Sequence, residues 1–173
     1  MLPSSLTDEV VSLLSETTGT ECPVTGSRSL SGGSINQAWL LQTPAGNFFM
    51  KYNRADAYPG MFEQEARGLQ LLRGADEIRV PAVIGHGDDG TNSFIILEYL
   101  NSAPRTGSFY EDFGRRLAQL HRHTAEKFGL DHDNYIGSLK QYNDECDRWT
   151  DFFRVKRLGV QMELAARSGL LPS

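Results

Sequence analysis

Four features with the chemistry of a nucleotide site follow one another along this sequence. The run Gly32–Asn36 begins with two glycines, Lys51 lies inside an apolar run, Glu65 lies on the next amphipathic segment, and Glu98–Leu100 ends a second apolar run. Consecutive backbone amides without side chains can form a concavity that binds phosphate oxygens. A glycine pair by itself is more often a tight turn between strands. The order of the four features therefore carries the prediction.

Lys51 and Glu65 are predicted to form an ion pair. Alternation along an extended strand puts Lys51 on the same face as Phe49, where an ammonium is costly to bury unless an anion meets it. In the next helix, the stripe from Phe62 to Leu72 marks the inner face, and Glu65 lies about 45° from its centre at about 100° per residue. Such a pair would hold the ammonium over the α and β phosphates of a nucleotide.

The second apolar run ends where a linker begins. Phe94–Leu100 reads as a buried strand, and the following residues, with Pro104 and Gly107, are typical of a connection. Main-chain groups that leave a sheet are free to bind a ligand. We therefore expect the C=O of Glu98 and the N–H of Leu100 to bind an adenine edge, with Leu97 behind it.

The elements that must position these residues form a small α+β unit. The periodicities predict a helix at 7–19, two strands around a turn at 44–47, a helix at 60–73, an edge strand at 80–85 and a buried strand at 93–100. His86-Gly87-Asp88 is predicted to lie in a hairpin turn. We expect residues 1–100 to form a nucleotide-binding lobe with a mostly antiparallel sheet and one packed helix.

The residues after the linker are predicted to be mainly helical. Ser108 and Glu111 have the spacing of a capping box before a helix, and a further helix is predicted at about 146–167, with Trp149, Phe152 and Phe153 on its inner side. Residues 131–143 read as a long polar loop. We expect 101–173 to be the linker and the first helices of an incomplete helical lobe.

Composition excludes several classes of function. The 173 residues carry 17 Lys plus Arg and 22 Asp plus Glu, a net charge of −5, which disfavours a general nucleic-acid or membrane surface. Cys22 and Cys146 stand far apart, outside any zinc-binding pattern. No signal peptide or membrane span is predicted. We therefore expect a cytoplasmic protein.

At this point the sequence resembles a known family, the fructosamine or ketosamine kinases. These are relatives of the aminoglycoside phosphotransferases in the protein-kinase-like superfamily, and the resemblance covers about residues 8–169. Its last segment is the most specific, because it separates this family from other kinases. The matching segments are Gly32–Asn36, Met61–Leu69, Leu97–Leu100, Leu117–His121, and Asp133–Leu139 with Gln141 and Asn143.

The resemblance implies a protein-kinase-like fold and phosphorylation, with ATP and Mg²⁺, of a sugar hydroxyl on a ketosamine. The phosphorylated adduct is unstable, so the amine is freed, which is protein deglycation. The resemblance also implies that the glycine run covers the phosphates, that Lys51 and Glu65 pair, and that Glu98–Leu100 binds adenine. The expected cofactor-binding residues are Gly32, Gly33, Ser34, Ile35, Asn36, Lys51, Glu65, Glu98, Tyr99 and Leu100.

The sequence departs from the family in the residues that phosphoryl transfer requires. Phosphoryl transfer in this superfamily needs an Asp, an Asn five residues later and a further Asp, all beyond the linker. Asp131 and Asp133 are followed at the fifth place by Ile136 and Ser138, and His86-Gly87-Asp88 precedes the linker. No catalytic or metal-binding residue is identified.

Several explanations of this departure remain open. The chain is part of a longer kinase, a member that binds a nucleotide without turnover, or half of an enzyme completed by another polypeptide. A regulatory nucleotide-binding protein and an interaction module without a nucleotide site are the competing functions. If the helices of the second lobe lack their cover, Trp149, Phe152 and Phe153 are expected to be exposed and to cause self-association.

Overall fold

The computed structural model describes residues 2–33 and 35–170. Contacts between residues divide the chain into two units, residues 1–123 and residues 124–173. A functional division near residue 101 stays a prediction.

The first unit is built on one five-stranded antiparallel sheet, with the strand order β1-β2-β3-β5-β4. This confirms the predicted α+β class. The elements are α1 (Ser4–Thr18), β1 (Gly26–Leu30), β2 (Gln37–Thr43), β3 (Gly46–Arg54), α2 (Met61–Gly74), β4 (Val83–Asp88), β5 (Asn92–Glu98) and α3 (Phe109–Leu120).

Each face of this sheet is covered by one helix, because side chains alternate along the strands. On one face, Met50 and Ile96 pack with α1. On the other, Ile95 and Leu97 pack with α2. The α1 face also buries residues of β2, β3 and β5, namely Trp39, Leu41, Tyr52 and Phe94. The predicted helix at 7–19 is confirmed, and it ends at Gly19, which adopts the left-handed conformation with φ 71°.

The strand β4 differs from its prediction at both ends. It begins at Val83, after Pro81, because proline has no N–H to donate to a neighbouring strand. It continues through His86-Gly87-Asp88, which pair with Ile95, Phe94 and Ser93, so the prediction of a turn at these three residues was wrong. The turn follows at Asp89, whose side chain accepts hydrogen bonds from the N–H groups of Thr91 and Asn92.

The helix α3 begins where it was predicted, but the predicted capping box is absent from the described residues. Ser108 occupies the N-cap position without a capping hydrogen bond. Instead, Glu111 Oε1 accepts a hydrogen bond from Arg115 Nη2 at 3.0 Å, because the arginine one turn later competes for the carboxylate. No residue of the described helix is buried.

The second unit contains structure inside the predicted polar loop. Two short strands, β6 (Asn134–Ile136) and β7 (Leu139–Gln141), pair antiparallel. Gly137, with φ 60°, lies in the turn between them. The loop prediction for residues 131–143 was therefore wrong in part, because each strand has only three residues and too little alternation to be recognised.

The predicted last helix is confirmed, with a change of winding. It consists of α4 (Trp149–Phe153), a π-helical segment (Arg154–Gly159) and α5 (Val160–Arg167). Trp149 and Phe153 are 52% and 40% exposed, as expected, whereas Phe152 is only 5% exposed. The expectation that Phe152 is exposed was wrong, since the Arg157 guanidinium lies 4.6 Å from its ring centroid and covers it.

Asn143 fixes the start of the segment Asp133–Leu139 through hydrogen bonds. It is 1% exposed. Its Nδ2 donates to His132 O and Asn134 Oδ1, both at 3.1 Å, and its Oδ1 accepts from Arg157 Nη2 at 2.6 Å. The hydrogen bonds satisfy the buried amide and fix the strand β6 beside the π-helical segment.

Candidate functional site

Lys51 lies in the middle of β3. It is opposite Ala38 of β2 and Ile95 of β5, on the face covered by α2. Phe49 lies on the same face, as the alternation predicted. The side chain of Lys51 is 23% exposed, so its ammonium is largely withdrawn from water and needs an anionic partner.

Glu65 supplies that partner. It lies in the second turn of α2, one residue before the buried Ala66, and its Oε1 accepts a hydrogen bond from Lys51 Nζ. The predicted ion pair is thus present, on the predicted side of the sheet. Glu63 is exposed, in agreement with the helical phase that placed Glu65 inward.

The glycine run forms the connection between β1 and β2. Gly32 has φ 111°, a conformation that a side chain disfavours. At Gly33 a Cβ would lie 2.9 Å from the backbone oxygen of Asn36, so both positions require glycine. Ile35 and Asn36 are half-buried. Ser34, also predicted here, lies outside the described residues.

A residue that the sequence analysis missed connects this turn to the sheet. Asn53 follows Lys51 by two residues and lies on the same face of β3. Its Nδ2 donates to Asn36 Oδ1 at 2.7 Å. The sequence did contain a signal for this residue. Asn53 is a polar amide on a strand, and by alternation it lies on the same face as Lys51, the face that the next helix covers.

Glu98 ends β5, and its side chain is occupied by structural contacts. Oε1 accepts a hydrogen bond from Arg79 Nη2 at 2.7 Å, and Oε2 accepts one from the Ala82 N–H at 3.2 Å. The Arg79 hydrogen bond, with that from Ala82, lowers the pKa of the Glu98 carboxyl below its ordinary value. Tyr99 is half-buried and Leu100 is 37% exposed. The strand β5 ends at Glu98, so the main chain leaves the sheet two residues before the predicted end of the strand at Leu100.

The structure brings some predicted residues into contact and separates others. Lys51 and Glu65 are in contact. Asn36 is connected to the strand of Lys51, because it accepts a hydrogen bond from Asn53, two residues after Lys51. Glu98 lies three residues along β5 from Ile95, the partner of Lys51, which corresponds to about 10 Å at the rise of a strand. That separation suits a ligand with an anionic end near Lys51 and another end near Leu100.

The described residues do not form a magnesium site by themselves. No group of three or more His, Cys, Asp or Glu side chains within the described residues is arranged to hold a metal ion. The acidic side chain beside Lys51 is Glu65, whose charge the lysine already neutralises. Mg²⁺ prefers oxygen ligands and is often held through substrate phosphates, so Mg²⁺ would need ligands beyond those on these elements.

The described residues also include no helix that is long and apolar enough to cross a membrane.

A five-stranded antiparallel sheet with a strand lysine paired to a glutamate on the packed helix defines a kinase-like fold. Comparison with known proteins identifies the family: residues 6–171 match the family model described as fructosamine kinase. The chain belongs to this family, which confirms the resemblance seen in the sequence.

Individual relatives agree with this assignment. The chain is 38% identical over 155 residues to a probable ketoamine kinase of Synechocystis, with 89% of this chain and 52% of the relative covered. It is 41% identical over 152 residues to the chloroplastic protein-ribulosamine 3-kinase of Arabidopsis thaliana, with 86% of this chain and 46% of the relative covered. The chain thus spans about half the length of these relatives.

Solved structures show the same fold. The crystal structure of a putative fructosamine-3-kinase from Haemophilus somnus superimposes with a TM-score of 0.86 at 32% identity, covering 94% of this chain and 55% of that one. A putative fructosamine-3-kinase from Thermobifida fusca gives a TM-score of 0.79 at 29% identity, covering 95% of this chain and 56% of that one.

Proposed function

We propose that this chain carries the ATP-binding part of a kinase that phosphorylates a sugar hydroxyl of ketosamines. The observation that carries the proposal is the Lys51–Glu65 ion pair, on the strand that Asn53 connects to the end of the glycine turn. A kinase needs a fixed ammonium over the phosphates of ATP, and these elements supply one. Membership of the fructosamine kinase family supports the choice of reaction, and the ketoamine and ribulosamine kinases among the relatives support the substrate class.

In the proposed complex, each element performs one task. Glu65 holds the Lys51 ammonium in place, and Lys51 binds the α and β phosphates. The backbone amides of the turn at 32–36 bind phosphate oxygens, because the glycines leave them accessible. The C=O of Glu98 and the N–H of Leu100 bind the adenine edge. Tyr99 lies between these two main-chain groups.

Transfer of the phosphate needs further groups. The Asp and Asn that orient the hydroxyl and bind the metal in kinases have no counterpart after residue 100 of this sequence. We therefore assign nucleotide binding to this chain and the substrate-orienting residues to the part of the relatives' length that it does not span. Mg²⁺ would contribute charge neutralisation at the phosphates when bound.

Binding of ATP to the purified chain tests the proposal. Calorimetric titration with ATP is expected to give a measurable Kd for the wild type and a loss of at least about tenfold for Lys51→Ala, since the phosphates lose their cation. Lys127→Ala is the matched control, because Lys127 is half exposed in the second unit. Equal affinity in all three proteins would refute the assignment of the site.

A second candidate function is a nucleotide-binding or regulatory protein without turnover. This function needs only the Lys51–Glu65 pair and the glycine turn, and no Asp with an Asn five residues later. Incubation of the chain with labelled ATP and a fructosamine tests whether this chain transfers phosphate by itself. Transfer of label by this chain alone would overturn our account of the absent groups, whereas binding without transfer is expected under both functions.

The cellular setting belongs to the proposal as well. A net charge of −5 disfavours nucleic acid and anionic membranes as partners, and the two free cysteines, Cys22 and Cys146, favour the cytoplasm. Fractionation of cells that produce the tagged protein is expected to recover it with cytoplasmic markers. Recovery with membranes or with nucleic acid would contradict this setting.

A further inference from the structure

Asn53 is a buried polar residue whose environment is unusual for a strand. Its exposure is 7%, and within the described residues Asn143 is the other buried polar residue. It follows Lys51 by two positions on β3, so both side chains emerge on the α2 face. A buried amide needs partners for both its ends, and the identity of those partners indicates what the residue does.

The carboxamide of Asn53 joins three segments of the first unit. Nδ2 donates to Asn36 Oδ1 at 2.7 Å and lies 3.3 Å from Met61 Sδ, while Oδ1 accepts from Ser93 Oγ at 3.1 Å. A thioether sulfur accepts but does not donate, which fixes the nitrogen toward Met61. Asn36 ends the glycine turn, Met61 begins α2, and Ser93 belongs to β5.

These partners belong to the elements that carry the candidate site. Asn36 is the last residue of the turn at 32–36, and Met61 starts the helix on which Glu65 lies, four residues later. One side chain thus sets the end of the glycine turn against both the strand of Lys51 and the first turn of the Glu65 helix. The turn has two glycines, and glycine has the largest backbone freedom, so an anchor at its end has a large effect on its position.

We infer that Asn53 is a positioning residue for the nucleotide site, which acts by holding Asn36, and thereby the end of the glycine turn, against the strand of Lys51 and the first turn of the Glu65 helix. This inference rests on the proposed function for its consequence in ATP binding. Its structural half, the ordering of the turn, stands without any nucleotide.

The variant Asn53→Leu removes both polar ends while it keeps the branching of the side chain. We expect backbone order parameters from NMR relaxation to fall at Gly32, Gly33 and Asn36, toward the values below about 0.6 that mark flexible backbone. We also expect the Kd for ATP to rise about tenfold, or 1.4 kcal/mol.

The matched control is Tyr52→Phe. Tyr52 precedes Asn53 on β3, points to the opposite face, and its hydroxyl donates one hydrogen bond to Gln37 Oε1 at 2.8 Å. The control therefore removes a β3 to β2 side-chain hydrogen bond of similar length without touching the network. Order parameters in the turn and the Kd for ATP are expected to stay at the wild-type values.

A second variant keeps the test decisive if Asn53→Leu does not fold. Asn36→Ala removes the half-buried partner at the turn, and the same loosening and the same rise in Kd are expected. Combining it with Asn53→Leu, where that variant folds, is expected to add little, because both remove one interaction.

The outcomes separate the inference from the proposed function. Loosening of the turn together with weaker binding supports the inference. Unchanged order parameters, or a loosened turn with unchanged Kd, overturn it. If the wild type binds no ATP, the proposed function fails, and the order parameters alone decide: loosening supports the positioning of the turn, and no change overturns it.

Discussion

At the scale of single residues, the Lys51–Glu65 pair is better suited to orientation than to stability. The two side chains are 23% and 26% exposed, so water screens part of their attraction, and pairs near a surface contribute about 0–1 kcal/mol. An ammonium held by one carboxylate at a fixed place on a strand still presents its remaining protons to a second anion. The pair therefore matters chiefly for what it binds.

The substitution Glu65→Gln is expected to weaken ATP binding about tenfold while it changes the free energy of unfolding by no more than about 1 kcal/mol. The side chain keeps its size but loses the charge that holds Lys51. Calorimetry and urea unfolding measure the two quantities. Glu63→Gln, at an exposed position in the first turn of the same helix, is the control. A large loss of stability without a change in Kd would contradict this account.

Glu98 makes a prediction about acid stability. Its contacts with Arg79 and Ala82 hold the pKa of the carboxyl below its ordinary 4.5. A lowered folded pKa contributes stability that is present above the unfolded pKa and is lost as the pH falls through the folded pKa.

The free energy of unfolding is therefore expected to fall more steeply below pH 4.5 in the wild type than in Glu98→Gln, which cannot titrate. Urea unfolding between about pH 3 and about pH 6, a range that brackets the ordinary pKa of a Glu carboxyl, measures the difference. Glu16→Gln, at an exposed position of α1, is expected to follow the wild type. Parallel curves for Glu98→Gln and the wild type would contradict the role of this carboxylate.

At the scale of elements, features with a long periodic pattern were predicted correctly. Features that depend on competition between neighbouring side chains, or on very short strands, were not. The helical phase of α2 placed Glu65 inward, and the alternation of β3 placed Lys51 toward it, because both signals extend over many residues. The capping box at Ser108 failed because Arg115 offered Glu111 a better partner. The hairpin β6–β7 was missed because strands of three residues leave almost no pattern.

The network at Asn53 could not be predicted from the sequence. The position of a polar residue on a strand was visible, but its partners Asn36, Met61 and Ser93 come from three other segments. The register of β3 against β5 pairs Asn53 with Ser93, whereas Asn36 and Met61 reach the same side chain from the turn before β2 and from the start of α2. The candidate site was thus predictable as a set of residue types, and its internal connections were not.

The glycine turn and the helix α2 give opposite predictions for the same substitution. Gly33→Ala is expected to destabilise the fold by about 1 kcal/mol or more, because the new Cβ would lie 2.9 Å from Asn36 O. Gly68→Ala, inside α2 with no atom within 4 Å of the new Cβ, is expected to stabilise it by up to about 1 kcal/mol. Urea unfolding compares them. Changes of the same sign would contradict the assigned conformation of the turn.

At the scale of the whole molecule, aromatic side chains exposed to water stand out. In the second unit, Phe128, Trp149 and Phe153 form an aromatic patch, with Trp149 6.0 Å from Phe128 and 5.4 Å from Phe153 between ring centroids. The three are 42%, 52% and 40% exposed. Contiguous apolar surface of this kind favours association.

We expect the chain to self-associate through this aromatic patch. Light scattering coupled to size exclusion is expected to show a mass above 19.3 kDa that rises with concentration. The double variant Trp149→Ser with Phe153→Ser is expected to shift the mass toward the monomer. Leu71→Ser, at a 60% exposed position of α2, is the control. A wild type that stays monomeric at every concentration would refute the expectation.

The central claim is that ATP binds between the glycine turn, the Lys51–Glu65 pair and the main chain at Glu98–Leu100. The most direct measurement is an NMR titration of the labelled chain with ATP, which follows every backbone amide. The account predicts that the amides of Gly32, Gly33, Lys51 and Leu100 shift together and saturate at one Kd, and that Lys51→Ala needs at least about tenfold more ATP for the same response. A titration that leaves these amides unmoved, or that moves only amides of residues 124–170, would contradict it.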